Sequence, residues 1–390
     1  MVTPTDRWLL PAGVEEILPP LGTHLEQLRR KILDLFNTWG YELVIPPLIE
    51  YLESLLTGLG TDLDLETFKV TDQLTGRLMG IRADITPQIA RIEAHRLRRE
   101  TPTRLCYLGP VLRTLPQGSG GSRNPLQVGA ELFGHSGLES DVEIIWLMLE
   151  VLKASNLAPV YADLGHVGIF RGLVRQAGLN PEQEIALFEP LQRKDRNEID
   201  QHLSDWRVSQ KVAEMIAALV DHNGDVSVLD QADSALAKSA PEVKHALHDL
   251  RQVYRAVRDR TSHPHWHFDL AELRGYHYHT GIVFAAYLPG QGQAIARGGR
   301  YDDIGRVFGR ARPATGFSTD LKRLVSEAKP LPGKTIGAPW GDDPDLTAMV
   351  TQLRMQGQRV VWRLPGCEDQ PIDYEQRLEH RRGRWVVTDI

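Results

Sequence analysis

The stretch Gln127-Val128-Gly129-Ala130-Glu131-Leu132-Phe133 reads as a β-strand with two unlike faces. Alternate residues of a strand share a face, so Gln127, Gly129 and Glu131 point one way while Val128, Ala130 and Leu132 point the other. An apolar face backed by an amide, a glycine and a carboxylate has the make-up of a pocket floor, with the missing side chain at Gly129 leaving room for a ligand. The same pattern also suits a solvent-facing polar sheet surface, and this segment alone does not separate the two.

Arg82-Ala83-Asp84-Ile85-Thr86 follows the same logic upstream: Arg82, Asp84 and Thr86 share a face just before a helix begins. Asp84 and Thr86 can accept hydrogen bonds from an ammonium group. Thr86-Pro87 is equally good as a helix cap followed by a first-turn proline. Arg113 closes an apolar strand, and Arg274 sits in Leu273-Arg274-Gly275-Tyr276-His277-Tyr278-His279-Thr280-Gly281. Guanidinium groups at strand ends suit carboxylates or phosphates because they bond at two points, although each arginine singly also suits a structural ion pair.

Around these segments the elements alternate. Thr23 and Glu26 have the spacing of a capping box before a helix carrying Leu25, Leu28, Ile32, Leu35 and Phe36. Gly40 ends that helix, and Tyr41–Ile45 reads as a strand stopped by Pro46-Pro47. Residues 68–72 and 77–84 form a hairpin pattern, followed by a helix from Pro87 anchored by Ile89, Ile92 and Leu97. Strands are expected at Arg104–Arg113 and Leu126–Phe133, separated by the flexible segment 117–122, before a helix capped by Asp141 and running through Leu152. Residues from about 165 to 260 read as mostly helical. Strands return at Trp266–Leu270 and Thr280–Tyr287, then a glycine-rich turn and a helix from about Asp320. Lys329–Gly333 reads as a linker, with short strand and helix patterns after it.

Composition narrows the function. At 390 residues the chain has room for two or three domains of ~150 residues each. No apolar run approaches the ~20 residues that span a bilayer, and Met1–Asp6 has neither the basic start nor the apolar run of an export signal. Two cysteines, Cys106 and Cys367, cannot build a disulfide framework or a four-thiolate zinc site and suit a reducing cytosol. The balance of 45 Lys and Arg against 51 Asp and Glu, net −6, argues against a chain whose main task is holding nucleic acid. His263, His265 and His267, with His277 and His279 beyond them, invite a metal reading; His265, His267 and Asp269 would share a strand face. They lack a second cluster or cysteine support. Gly333-Lys334-Thr335 is no phosphate loop, because position 328 is Ala328 where that motif needs glycine.

Taken together, six segments in order resemble the catalytic core of histidyl-tRNA synthetase, over roughly residues 6 to 326. They are Gly40-Tyr41-Glu42 with Pro46–Glu50, Arg82–Thr86, Leu112-Arg113 with Gln127–Glu131, Arg274–Gly281, Gly298–Asp302, and Gly316-Phe317 with Leu321–Leu324. The resemblance implies an α+β fold, a class II aminoacyl-tRNA synthetase-like core with an antiparallel sheet flanked by helices, over 1–328. A small C-terminal α/β domain would follow at 329–390, and the helical insertion would span about 165–260. It also implies a histidine pocket: Asp84 and Thr86 at the α-amino group, Arg113 and Arg274 on the carboxylate side, Gln127 and Glu131 completing it, and Tyr278 and His279 beside the imidazole. The second aromatic position is usually tyrosine.

The departures point further. Where the synthetase loop carries an acid and basic residues for ATP and the tRNA end, this chain has Thr114 to Arg123 with no acid and a Gly/Ser run. Asp320 stands at a glycine position where a triphosphate would lie, Lys322 replaces a glutamate, and Arg323 remains. Only 66 residues follow Leu324, and residues 331–390 hold 8 Lys or Arg against 9 Asp or Glu, which is no electrostatic platform for RNA. A kept histidine pocket, an eroded ATP loop and a shortened tail resemble the regulatory subunits of ATP phosphoribosyltransferase. That resemblance implies a non-catalytic dimer without cofactor or metal. It would join short-form catalytic subunits in a hetero-octamer, activate them and confer feedback inhibition by histidine in the cytoplasm, without tRNA or membrane. A working histidyl-tRNA synthetase is the alternative.

Overall fold

A computed structural model describes residues 8–56, 61–116, 121–157, 159–262, 264–273, 275–276, 278–328, 334–366 and 374–390. The chain divides into two compact units, Met1–Lys329 and Pro330–Ile390.

Twelve strands build the first unit: β1 (Glu42–Leu43), β2 (Ile49–Tyr51), β3 (Phe68–Thr71), β4 (Leu78–Ile81), β5 (Thr103–Pro110), β6 (Leu126–Phe133), β7 (Val160–His166), β8 (Asn223–Gly224), β9 (Pro264–Asp269), β10 (Ile282–Tyr287), β11 (Ala296–Arg300) and β12 (Ala314–Asp320). Nine of them form one sheet in the order β1-β5-β6-β12-β11-β10-β7-β9-β8, and β2-β4-β3 form a small antiparallel sheet. The large sheet is antiparallel from β5 through β7. It is parallel where β1 meets β5 and where β7 meets β9. Parallel neighbours need a long crossover, and the helices between Val167 and Arg258 supply the second one.

The helix Leu138–Ala154 packs its apolar side, including Ile144, Ile145, Leu147 and Met148, beneath β6, β11 and β12. Leu28, Ile32 and Phe36 of the helix Leu21–Thr38 join the same core. Between β7 and β9 the helices Val167–Ala177, Pro181–Gln192, Arg196–Asp205, Gln210–Ala218, Ser227–Ala235 and Pro241–Arg258 extend that core, each burying one apolar stripe. Among the described residues the second unit is a four-stranded sheet ordered β14-β13-β15-β16 with one helix, Pro344–Met355; its strands are β13 (Thr335–Pro339), β14 (Arg359–Arg363), β15 (Gln376–Arg381) and β16 (Arg384–Asp389).

Three sequence expectations give way. The first helix begins at Leu21 behind Pro20, so Thr23 lies inside the first turn and makes no cap; Glu26 instead binds Arg29 at 2.6 Å and Arg30 at 2.8 Å. The strand expected over Tyr41–Ile45 shrinks to Glu42–Leu43. Asp141 is no cap either, because the helix starts at Leu138. Its carboxylate is fully buried against Arg300 at 2.9 Å, and burial pushes it up to about 6. Gly298 and Gly299 lie within β11. A Cβ on Gly298 would fall 2.2 Å from the Gly316 carbonyl oxygen, and one on Gly299 would fall 2.6 Å from His279. These glycines allow close packing; they do not bend the chain.

Candidate functional site

Every residue from Gln127 to Phe133 is buried, so the polar face of β6 is not a solvent-facing surface. Cross-strand register sets what lies beside it. Glu131 pairs with Leu105 of β5 on one side and Gly316 of β12 on the other; Gly129 pairs with Tyr107, and Gln127 with Asp320.

Glu131 is the hub. Its Oε1 accepts from the Thr86 hydroxyl at 3.0 Å and the Tyr107 hydroxyl at 3.1 Å, and its Oε2 accepts from the Tyr301 hydroxyl. Thr86 Oγ1 and Tyr107 Oη are also 2.9 Å apart. With both hydroxyls donating to Oε1, neither has a hydrogen left for the other, so the three oxygens crowd around one acceptor. Burial pushes this carboxyl up to about 8 although all three hydroxyls pull it down. The Tyr107 and Tyr301 phenols are raised by the same burial and by Glu131.

Above the hub, Gln127 ties two segments together. Its Oε1 accepts from the Ile85 backbone N–H at 2.9 Å, and its Nε2 donates to Asp84 Oδ1 at 2.9 Å. The same Asp84 oxygen accepts from the Thr86 N–H at 2.8 Å. Thr86 is therefore not the helix cap; its hydroxyl is spent on the Glu131 cluster. Arg113 donates to the Ala83 carbonyl at 3.2 Å and faces Glu66 at 3.7 Å, which holds it beside Asp84. The Tyr278 ring stacks on Tyr301 with centroids 5.0 Å apart, and its hydroxyl is buried with no hydrogen-bond partner among the described residues. Burial and the charges of Glu131 and Asp84 raise that phenol. His279 stands edge-on to Tyr278 at 5.5 Å and packs against Gly275 and Gly299. Arg274 lies outside the described residues.

Two details depart from the sequence reading. A Cβ on Gly129 would meet the Tyr107 hydroxyl and the Phe317 carbonyl oxygen, each at 2.5 Å, so the glycine makes room for Tyr107 rather than for a ligand. Arg82 leaves the shared face: it is buried and donates to the carbonyls of Pro46 at 2.8 Å and Pro110 at 2.9 Å. Tyr107 and Tyr301 are the site residues that pattern reading missed. Tyr107 was findable, since a strand pairing β5 with β6 sets it opposite Gly129. Of the histidines, His267 pairs with Asp163 at 3.0 Å and His265 lies against Tyr161, while His263 and His277 lie outside the described residues. Among the described residues no three His, Cys, Asp or Glu converge as a metal site would require.

The histidyl-tRNA synthetase family model matches residues 13–324. Residues 333–388 match the model described as the ATP phosphoribosyltransferase subunit HisZ C-terminal domain. The chain is 59% identical over 389 residues to the ATP phosphoribosyltransferase regulatory subunit of Alkalilimnicola ehrlichii, covering 98% of this chain and 97% of that one. It is 58% identical to the regulatory subunit of Nitrosococcus oceani over 99% of this chain and 98% of that one.

The chain belongs to the ATP phosphoribosyltransferase regulatory subunit family.

A solved structure from Bacillus halodurans, described as an ATP phosphoribosyltransferase regulatory subunit/histidyl-tRNA synthetase, superposes with a TM-score of 0.81 at 26% identity, covering 93% of this chain and 95% of that one. The histidyl-tRNA synthetase of Nostoc shares the fold, with a TM-score of 0.79 at 20% identity over 98% of this chain and 97% of that one.

In this member of the regulatory subunit family, Arg323 and Arg123 are already engaged. Arg323 donates to the carbonyls of Ala294 at 2.8 Å and Gln293 at 2.9 Å and to Gln291 Oε1 at 2.9 Å. Arg123 donates to the carbonyls of Arg113 at 3.0 Å and Ala12 at 3.1 Å. Asp320 caps the helix Leu321–Glu327 through the Lys322 N–H and also accepts from the Leu126 N–H, each at 3.0 Å.

Proposed function

We propose that this chain is the non-catalytic regulatory partner of a short-form ATP phosphoribosyltransferase catalytic subunit, which it activates and to which it relays feedback by histidine. In this reading it works in the cytoplasm as a dimer within a hetero-octamer. Histidine is held by Asp84 and Thr86 at its amino group, by Arg113 and Arg274 at its carboxylate, and by Gln127, Glu131, Tyr278 and His279 around the ring.

The observation that carries the reading is the Glu131 cluster. A buried carboxyl raised to about 8, a stacked pair of tyrosines and a Tyr278 hydroxyl with no hydrogen-bond partner among the described residues form its floor. Buried polar groups of this kind discriminate sharply, because an analogue lacking the matching atom leaves them unpaired. Supporting the absence of adenylate chemistry is the engagement of Arg323 and Arg123 by carbonyl oxygens and the carboxylate of Asp320 at the end of β12. Nucleotide activation depends on preorganised positive charge around the phosphates, and here those donors face inward.

Activation and feedback are linked by reciprocity. If histidine weakens the active assembly, ligands of that assembly weaken histidine binding by the same factor, typically ~5–150-fold. The test is activity of a short-form catalytic subunit with and without this chain, followed by histidine titration calorimetry of the complex with and without nucleotide. Activation by the chain and unequal histidine affinities are expected; no activation, or equal affinities, overturns the coupling. The second reading, a working synthetase, draws on the family match over residues 13–324. Histidine-dependent ATP–pyrophosphate exchange by the purified chain would establish it, and none is expected.

A further inference from the structure

Tyr278 and His279 stand on the connection from β9 to β10, residues 270–281. Gly275 in that connection has φ +70°, and its carbonyl oxygen accepts from the N–H groups of both residues, each at 2.8 Å. A Cβ on Gly275 would fall 2.6 Å from the His279 ring. One tight turn therefore sets where both side chains stand. On the site's side Tyr278 is steadied by its stack on Tyr301, while its hydroxyl has no hydrogen-bond partner among the described residues.

Tyr276, inside the same turn, goes the other way. It is buried among the helices between β7 and β9, with its ring 5.4 Å from Phe170 and 6.0 Å from Phe188. The Arg171 guanidinium lies 4.7 Å over the ring and also donates to the Tyr276 carbonyl at 2.8 Å. The Tyr276 hydroxyl donates to Glu184. To either side, the Ala271 carbonyl accepts from Gln192 at 3.3 Å and the Gly281 carbonyl accepts from the Val167 N–H at 3.1 Å. These anchors all come from two helices, Val167–Ala177 and Pro181–Gln192. An apolar side chain would fill the same space. A phenol bound to a carboxylate beneath a guanidinium also fixes the direction of the ring, because hydrogen bonds weaken steeply off their axis.

We infer that Tyr276 is a positioning residue for histidine: held by Glu184 and Arg171, it sets the Gly275 turn and with it the Tyr278 and His279 wall beside the imidazole. The inference rests on the histidine reading proposed above. It adds which part of the chain holds that side of the site, and so regulates it. A shift of either helix passes through the turn to the wall. Linkage makes the relation two-way: helices that hold the wall in place raise histidine affinity, and histidine against the wall steadies the helices by the same free energy.

Calorimetry with L-histidine and hydrogen exchange, both on the full chain, test it. In the unaltered chain histidine is expected to slow exchange across 181–192. Tyr276→Phe keeps the ring and loses the hydroxyl. That variant and Glu184→Ala are each expected to bind histidine about tenfold more weakly and to lose the slowing even at saturating histidine. Glu184→Gln, which keeps an oxygen for the phenol, is expected to stay within about threefold of the unaltered chain. A tyrosine that merely fills the core would lower thermal stability and leave histidine affinity and the exchange response alone. That result overturns the inference, and so does an unaltered chain that binds histidine without slowing exchange at 181–192. If Tyr276→Phe does not fold, the two Glu184 variants decide. No histidine binding by the unaltered chain overturns the histidine reading itself, and this inference with it.

Discussion

Gly316 and Glu131 face each other across β12 and β6 so closely that a Cβ on Gly316 would fall 1.5 Å from Glu131 Oε2. The carboxyl occupies the space a side chain would take, and from there it meets Tyr301. Gly316→Ala must drive Glu131 off its three hydroxyls or part the strands. We expect a stability loss of about 3 kcal/mol and histidine binding reduced at least about a hundredfold, read by denaturant unfolding and calorimetry. A variant that binds normally would place the ligand elsewhere.

Glu131 titrates in a testable direction. With its carboxyl raised to about 8 in the folded protein, the folded state keeps a proton that the unfolded chain, with its carboxyl at 4.5, has already released. Its contribution to stability therefore falls as pH rises from about 4.5 toward about 8, with a limiting slope of about 1.4 kcal/mol per pH unit, and then levels off. Glu131→Gln should remove that slope and gain on the native protein from pH 6 to 8, while abolishing the histidine response. Parallel stability curves would mean Glu131 is ionised in the fold.

Tyr107→Phe removes one oxygen from the triangle with Thr86 and Glu131, leaving Thr86 free to donate to the carboxyl. Expected is a modest destabilisation of about 1 kcal/mol and a histidine affinity about tenfold weaker, both smaller than for Gly316→Ala. An effect as large as that of the glycine change would show the ring, rather than the hydroxyl, to be what matters.

Arg300 and Asp141 form a buried pair on the opposite face of the sheet, reinforced by the Gly137 carbonyl at 3.1 Å and the Ser140 hydroxyl at 2.8 Å. Arg300→Met strands a carboxylate in the core and should cost about 3–5 kcal/mol. Adding Asp141→Leu should recover much of it, because both charges are then gone. Denaturant midpoints of the two variants decide.

Much of this was readable from the residues. The two-faced strand over 126–133, the hairpin before Asp84 and the faces shared by Gln127 with Glu131 and by Asp84 with Thr86 follow from local periodicity, which each segment carries within itself; that the two segments meet was implied by the resemblance. What escaped depends on partners distant in the chain. Tyr301 reaches Glu131 across 170 positions, so nothing near either residue announces the contact. The need for glycine at 298 and 299 is equally invisible locally, because the Gly316 carbonyl oxygen and His279 lie on other segments. Thr23 has the spacing of a cap, but Pro20 starts the helix earlier.

Arg323 latches the connection between β10 and β11 to the helix that follows β12. A guanidinium held by three oxygens of one connection cannot turn to meet an incoming anion without first letting that connection go, so any charged visitor at this end of the sheet would have to wait for the hairpin to open.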